Sequence, residues 1–354
     1  MVACREPRST DVPMKPESPA MPLPERYTRH VVQVRDPHAE LVADFCEGML
    51  EAPRWLPPKY FYDARGSQLF DAICDTPEYY PTRLESALLE SRATEIVEAS
   101  GAHTLIELGS GTSRKTEYLI AALNERVDDP YYVANDVCGE ILDEAAERLL
   151  GRFPTLVIEA LCGDYLAALS ALPTLTPVPA APRLFTFLGG SLGNFEDAEA
   201  IALLSKICAA MGAEDRLLLG LDRVKAIPVL EAAYNDAAGV TAAFNLNLLS
   251  VLNRELGADF DPDGFRHRAP FVQAHSRIEM HLVAQGDQTV QVSEPATTLQ
   301  FADGESIRTE ISRKFTRPMV QQLLSGAGLA QVAEWSAPDE AYSLFLLAPG
   351  GAQA

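Results

Sequence analysis

The sequence predicts an α/β fold, a doubly wound sheet interrupted by a second, α+β unit. Three observations point there. Thr104-Leu-Ile-Glu-Leu-Gly-Ser-Gly-Thr112 reads as a buried strand, a glycine turn and the start of a helix. Apolar strands then alternate with helical stretches as far as Leu221. A closing helix and strand pair come only after Pro318, behind a long stretch of different patterning.

The first unit sets the chemistry. A ligand of such a unit lies across the carboxyl ends of the strands, where the turn at Gly109-Ser-Gly111 lets backbone approach it. Ser113 to Leu123 reads as the helix, with a Ser or Thr as N-cap. A dinucleotide fingerprint wants a third small residue where Arg114 stands, which argues against NAD. Instead Glu107 precedes Gly109 by two positions. Glu-x-Gly-x-Gly after a first strand is similar to the pattern of S-adenosylmethionine-dependent methyltransferases.

In chain order, residues 1–28 form a Pro-, Glu-, Arg- and Ser-rich tail, expected to be disordered. His38 to Leu50 carries a helical apolar stripe. Two aromatic clusters bracketed by prolines follow, Pro57 to Asp71 and Thr76 to Arg83; they pack as core or form a lid over the cleft. A helix from Arg83 leads into the first strand. The second strand, Tyr131 to Asn135, ends at Asp136, about 25 residues behind the glycines, where an acid can hold ribose hydroxyls. The third, Leu156 to Leu161, runs into Gly163-Asp164-Tyr165, a carboxylate and an aromatic suited to an adenine. Pro173 to Pro182 reads as a surface loop. The fourth, Arg183 to Leu188, opens into a glycine-rich turn carrying Asn194, and the fifth is Asp215 to Leu221. A helical half (Ile227 to Leu256) and an alternating half, with strands at Ser276 to Val283 and Gln288 to Val292, interrupt the sheet before its closing elements. Asp259 to Gly264 mimics the opening of a calcium loop. Pro270 stands where that loop needs Glu, so the stretch reads as a turn and no metal is expected.

Domains are therefore expected at 29–83 with 225–313 (substrate-binding) and at 84–224 with 314–354 (cofactor-binding). Composition narrows the partners. Lys plus Arg is 29 against 50 Asp plus Glu, a net charge of −21, and no basic run offers a nucleic-acid surface. The six cysteines form no C-x-x-C pair and read as free thiols of a reducing cytoplasm. No apolar run approaches the roughly 20 residues of a membrane span. A cytoplasmic monomer acting on a small molecule is expected.

With these residues in place, the chain from about Pro53 to Leu347 closely resembles the histidine-specific Nα-methyltransferases of ergothioneine biosynthesis. The resemblance rests on Pro58-Lys-Tyr-Phe-Tyr-Asp-Ala-Arg-Gly-Ser, Pro77-Glu-Tyr-Tyr-Pro-Thr-Arg, Glu107-Leu-Gly-Ser-Gly-Thr, Gly163-Asp, Leu188-Gly-Gly-Ser-Leu-Gly-Asn, Phe244-Asn, Arg277-Ile-Glu-Met and Thr309-Glu-Ile-Ser-Arg-Lys-Phe. It implies a Rossmann-like class I methyltransferase domain with an inserted α+β substrate domain. It implies trimethylation of L-histidine to hercynine, with S-adenosyl-L-methionine as cofactor. Tyr79, Gly109, Lys115, Asp136, Asp164 and Tyr165 fall on the family's cofactor positions. Tyr62, Asn194, Tyr234, Thr241, Met280, Glu310 and Ser312 fall on its substrate positions. Tyr62 is the candidate catalytic residue, holding the amine in line; Tyr234 and Asn194 suit the carboxylate, Glu310 and Ser312 the imidazole. The alternatives are an N-methyltransferase for another aromatic amino acid, such as tryptophan, and a non-catalytic ligand-binding module of the same fold.

Overall fold

The computed structural model describes residues 26–32, 36–175 and 182–350. The expected tail up to residue 25, and the middle of the loop between Pro173 and Pro182, lie outside the described residues.

Eight strands form the main sheet. Their spatial order is Tyr27–Val31, Val157–Cys162, Tyr131–Asp136, Thr104–Leu108, Arg183–Phe187, Arg216–Asp222, Tyr342–Pro349 and Leu329–Ser336. The first six run parallel, Tyr342–Pro349 runs against them, and Leu329–Ser336 pairs antiparallel with Tyr342–Pro349. The Thr104–Leu108 strand is buried at every position, as a parallel strand covered on both faces must be. Chain order reverses beside it: the next strand lies on one side and Arg183–Phe187 on the other. This is the switch point at which doubly wound sheets bind ligands, and the glycine turn sits on it. The fold is Rossmann-like, of the class I methyltransferase kind.

Two expectations need correction. The sequence places the tail up to residue 28 and the substrate domain from 29, yet Tyr27–Val31 is the edge strand of the main sheet. Its polar side chains anchor it. Tyr27 and Arg29 each donate to Asp143, and Arg26 donates to the carbonyls of Phe153 and Leu156. The helix behind the glycine turn begins at Glu117, not at Ser113. Ser113 is left-handed, with φ 52°. The Thr116 hydroxyl donates to Glu107 rather than capping the helix.

The insert builds its own sheet, ordered Arg54–Trp55, Ser306–Arg313, Arg277–Ala284 and Phe265–Arg268, with Phe271–Val272 also on Arg277–Ala284. The Gln288–Val292 and Thr297–Phe301 strands make a separate hairpin. The segment before residue 80 shares the insert's core: Phe45, Met49, Phe61 and Ile73 pack with Leu248, Leu252, Ile278 and Leu282. Burying such side chains is worth roughly 1.5–3 kcal/mol each against exposure. The chain leaves and rejoins the main sheet through one narrow neck. There the Phe315 N–H donates to the Asp222 carbonyl at 2.9 Å, and Arg223 bridges to Phe315.

Candidate active site

Gly109, at φ 72°, ends the first strand in a conformation that L side chains rarely adopt. A Cβ there would stand 3.2 Å from the Tyr165 hydroxyl, so the tyrosine lies directly against the turn. The Asp136 carboxylate fastens that turn to the next strand: it accepts from the Gly111 N–H at 2.9 Å and from the Cys138 N–H at 3.0 Å. Burial pushes its carboxyl above the ordinary range, against the pull of those amides. Asp164 caps the Tyr165–Ala171 helix through one oxygen, at 2.8 and 2.9 Å from the Leu166 and Ala167 amides. Its other oxygen has no partner among the described residues. Val137 and Leu166, next to Asp136 and Tyr165, are apolar yet 50% and 42% exposed. A carboxylate beside a glycine turn, an aromatic ring and an apolar lip fit the ribose and base of a nucleoside.

Two buried ionisable groups lie beneath this end. Glu107 does not face the turn; it is buried, and the hydroxyls of Thr116 and Tyr132 donate to it. Burial pushes its carboxyl up to about 7. Lys115 is paired with the fully buried Glu85, which also accepts from the Gly189 N–H at 2.9 Å and the Tyr342 hydroxyl at 2.7 Å. Its ammonium lies beside Gly189, where a Cβ would stand 3.5 Å away.

The second group comes from the other unit. Tyr62 follows a short 3-10 turn, Pro58–Phe61, and its ring meets Phe70 and Phe244 edge-on at 5.7 and 5.8 Å. Among the described residues its hydroxyl has no hydrogen-bond partner. Burial, then the nearby Glu310, Tyr165, Cys74 and Asp136, holds that phenol neutral, well above its usual pKa. Tyr62 thus lies near residues of both groups. Tyr79 starts the Tyr80–Ser100 helix and packs edge-on with Tyr234 at 5.9 Å, within the insert's core. Thr241 is buried one turn before Phe244, with its amide donating to Asp236 at 2.8 Å.

Met280 and Glu310 are directly opposed on neighbouring antiparallel strands, next to a bulge between Met280 and His281. Bulges re-aim side chains beside sites. Glu310 and Ser312 share one strand face. Glu310 has no hydrogen-bond partner among the described residues, and burial pushes it up to about 7 although Lys314 pulls the other way. The Ser312 hydroxyl lies 2.7 Å from that of Tyr234. Asn194 ends a 3-10 turn, Ser191–Asn194, whose Gly193 touches the Arg313 backbone: a Cβ there would meet it at 3.1 Å. Just beyond, Glu196 pairs with Arg277 at 2.7 Å and Asp197 with Arg313, tying the main sheet's loop to the insert's strands.

Sequence reasoning missed Lys314, Asp222 and Glu85. Lys314 is 0% exposed and reaches Tyr234, Ser312 and Asp222 at 3.0, 2.9 and 2.9 Å. Its signal was present: Glu310, Ser312 and Lys314 alternate along one strand direction.

A family model described as histidine-specific methyltransferase, SAM-dependent, matches residues 41–349. The chain is 44% identical to a histidine N-alpha-methyltransferase of Mycolicibacterium smegmatis, over 86% of this chain and 93% of that one. It is 43% identical to that of Mycobacterium tuberculosis, over 86% and 92%. It is 31% identical to ergothioneine biosynthesis protein 1 of Neurospora crassa, over 84% of this chain and 33% of that larger one.

Proposed function

The chain belongs to the histidine-specific, S-adenosylmethionine-dependent methyltransferase family, and we propose how its residues carry that activity. It methylates the α-amino group of L-histidine toward hercynine, the methylation step of ergothioneine biosynthesis. The observation that carries the residue assignment is Glu310, a carboxylate without a hydrogen-bond partner among the described residues, beside a neutral Tyr62. An unpaired acid in a cleft is matched by a ligand N–H, and imidazole offers one.

When bound, the cofactor supplies a methyl group on a sulfonium. Asp136 and Tyr165 hold its nucleoside at the glycine turn, with Asp164 at the rim. Because the leaving group is already good, positioning carries the rate. Glu310 fixes the imidazole, while Tyr234 and Asn194 fix the carboxylate. Tyr62 holds the amine nitrogen in line by a neutral hydrogen bond. As a phenol with a raised pKa it orients and does not serve as a base. A site that grips its ligand by hydrogen bonds rejects analogues lacking them strongly.

The test is incubation with S-adenosylmethionine and a mixed amino-acid pool, read by mass spectrometry. Mono-, di- and trimethylhistidine should appear in sequence. Tyr62→Phe should slow turnover by about tenfold, the scale of one lost hydrogen bond, with the order of products kept. Selective methylation of another amino acid would overturn the substrate.

A further inference from the structure

We propose that Lys314 is a positioning residue that makes one end of the pocket an anion receptor, presenting a buried positive charge to the substrate carboxylate through the Tyr234 hydroxyl, while Ser312, expected at the imidazole, also accepts from Lys314 and lies 2.7 Å from that hydroxyl. The inference rests on the reading of the substrate as a free amino acid.

Hydrogen counting leads there. An ammonium has three N–H donors. In Lys314 they meet Asp222 Oδ2 at 2.9 Å, the Tyr234 hydroxyl at 3.0 Å and Ser312 Oγ at 2.9 Å. The two hydroxyls therefore both accept from the ammonium. They stand 2.7 Å apart, so one of them donates to the other. One hydroxyl hydrogen remains, without an acceptor among the described residues. The cluster thus exports a single O–H donor, backed by a cation.

Charge counting agrees. Asp222 is shared: Lys225 pairs with its Oδ1 at 2.5 Å, and the Tyr80 hydroxyl donates to its Oδ2 at 2.7 Å. Two ammonium groups share one carboxylate; Lys225 keeps 14% of its side chain in solvent, whereas Lys314 is 0% and Asp222 4% exposed, so Lys314 has half a counter-ion and no water. An uncompensated charge away from water is costly unless a counter-charge arrives. Glu310 is the rival counter-ion, near enough for Lys314 to favour its charged form, yet no ion pair joins the two among the described residues. Along one strand direction the chain thus sets a carboxylate at 310, a hydroxyl at 312 and an ammonium at 314. That polarity matches an amino acid with an N–H donor at one end and a carboxylate at the other.

A strut is the competing role, since Asp222 also holds the neck through its carbonyl. A strut would weaken every substrate alike. The experiment therefore compares L-histidine with L-histidinamide, which lacks the carboxylate, in the full-length wild type and in Lys314→Met. The KM for histidine should rise by about tenfold or more, that for histidinamide should hardly move, and the preference between them should collapse. Cofactor affinity by calorimetry should be unchanged. If Lys314→Met does not fold, the Asp222→Asn/Lys314→Met double variant removes both partners of the buried pair and should show the same collapse. Lys314→Arg, keeping the charge, should retain a preference for histidine. A folded variant with the wild-type ratio, or with equal losses on both substrates, overturns the inference alone. A wild type that methylates neither compound overturns the parent reading first, and the inference with it.

Discussion

The Asp136 carboxylate clasps the glycine turn: its Oδ2 accepts the Gly111 N–H at 2.9 Å, across two neighbouring strands. The same group is proposed to hold the cofactor's ribose. The two duties can be separated. Asp136→Asn keeps an acceptor for the turn but loses the charge. Cofactor binding should weaken by about 1–3 kcal/mol, measured by calorimetry, while histidine affinity without cofactor barely changes. A folded variant with wild-type cofactor affinity would remove Asp136 from the site.

Glu310 should set the acid side of the pH profile. Burial raises its carboxyl to about 7, and only the ionised form accepts from an imidazole N–H through both oxygens. As pH falls through about 7 the group takes up a proton, so kcat/KM for histidine should fall. In Glu310→Gln that limb should vanish, on a plateau lower by roughly 10- to 100-fold. The preference for histidine over tryptophan should relax too. A variant keeping both the limb and the preference would place imidazole recognition elsewhere.

Glu107 titrates near the same pH with a different readout. Its carboxyl is raised to about 7 by burial, from a usual value of 4.5. The folded chain therefore keeps a proton that the unfolded chain releases between those values. The contribution is full below about 4.5 and is lost as pH rises through about 7. Glu107→Gln should flatten this slope, so that its melting temperature gains on the wild type above pH 7. Parallel melting curves for both proteins from pH 5 to pH 8 would refute the assignment.

Gly66 explains a glycine inside a helix. A Cβ there would stand 1.6 Å from the Phe61 carbonyl oxygen, a backbone atom that cannot swing away. Gly66→Ala should cost about 1–3 kcal/mol or more, seen in denaturant titration. Because Phe61 precedes Tyr62, the surviving activity should also show a raised KM for histidine. Wild-type stability would mean that this turn moves freely.

The alternation of apolar strands and helices marked the main sheet, since a parallel sheet covered on both faces writes itself as apolar runs. The Tyr27–Val31 strand escaped because its edge position is secured by Arg26, Arg29 and their acceptors, which read as tail composition. The site divided in the same way. Gly109, Asp136 and Tyr165 carry positional signals after a strand. Lys314 and Glu85 are ionisable, so sequence reasoning puts them in water; only the assembled neck and sheet supply the partners that let them be buried. Lys115 and Glu107 were noticed, but their partners lie on other strands and helices, out of reach of any local pattern.

The strand Tyr342–Pro349 lies between Arg216–Asp222 and Leu329–Ser336. Its register pairs Tyr342 with Asp222, so two stretches far apart along the chain must meet side by side. During synthesis, the Arg216–Asp222 strand emerges with one edge bare, and it stays bare while the whole insert is made. Non-local pairing of this kind is slow and leaves a sticky edge exposed meanwhile. The insert can collapse on its own core during that interval, but Glu85 acquires its Tyr342 partner only at the end. Nascent chains halted before residue 342 should therefore show protease protection in the insert before the main sheet. The opposite order would mean that the sheet closes without Tyr342–Pro349.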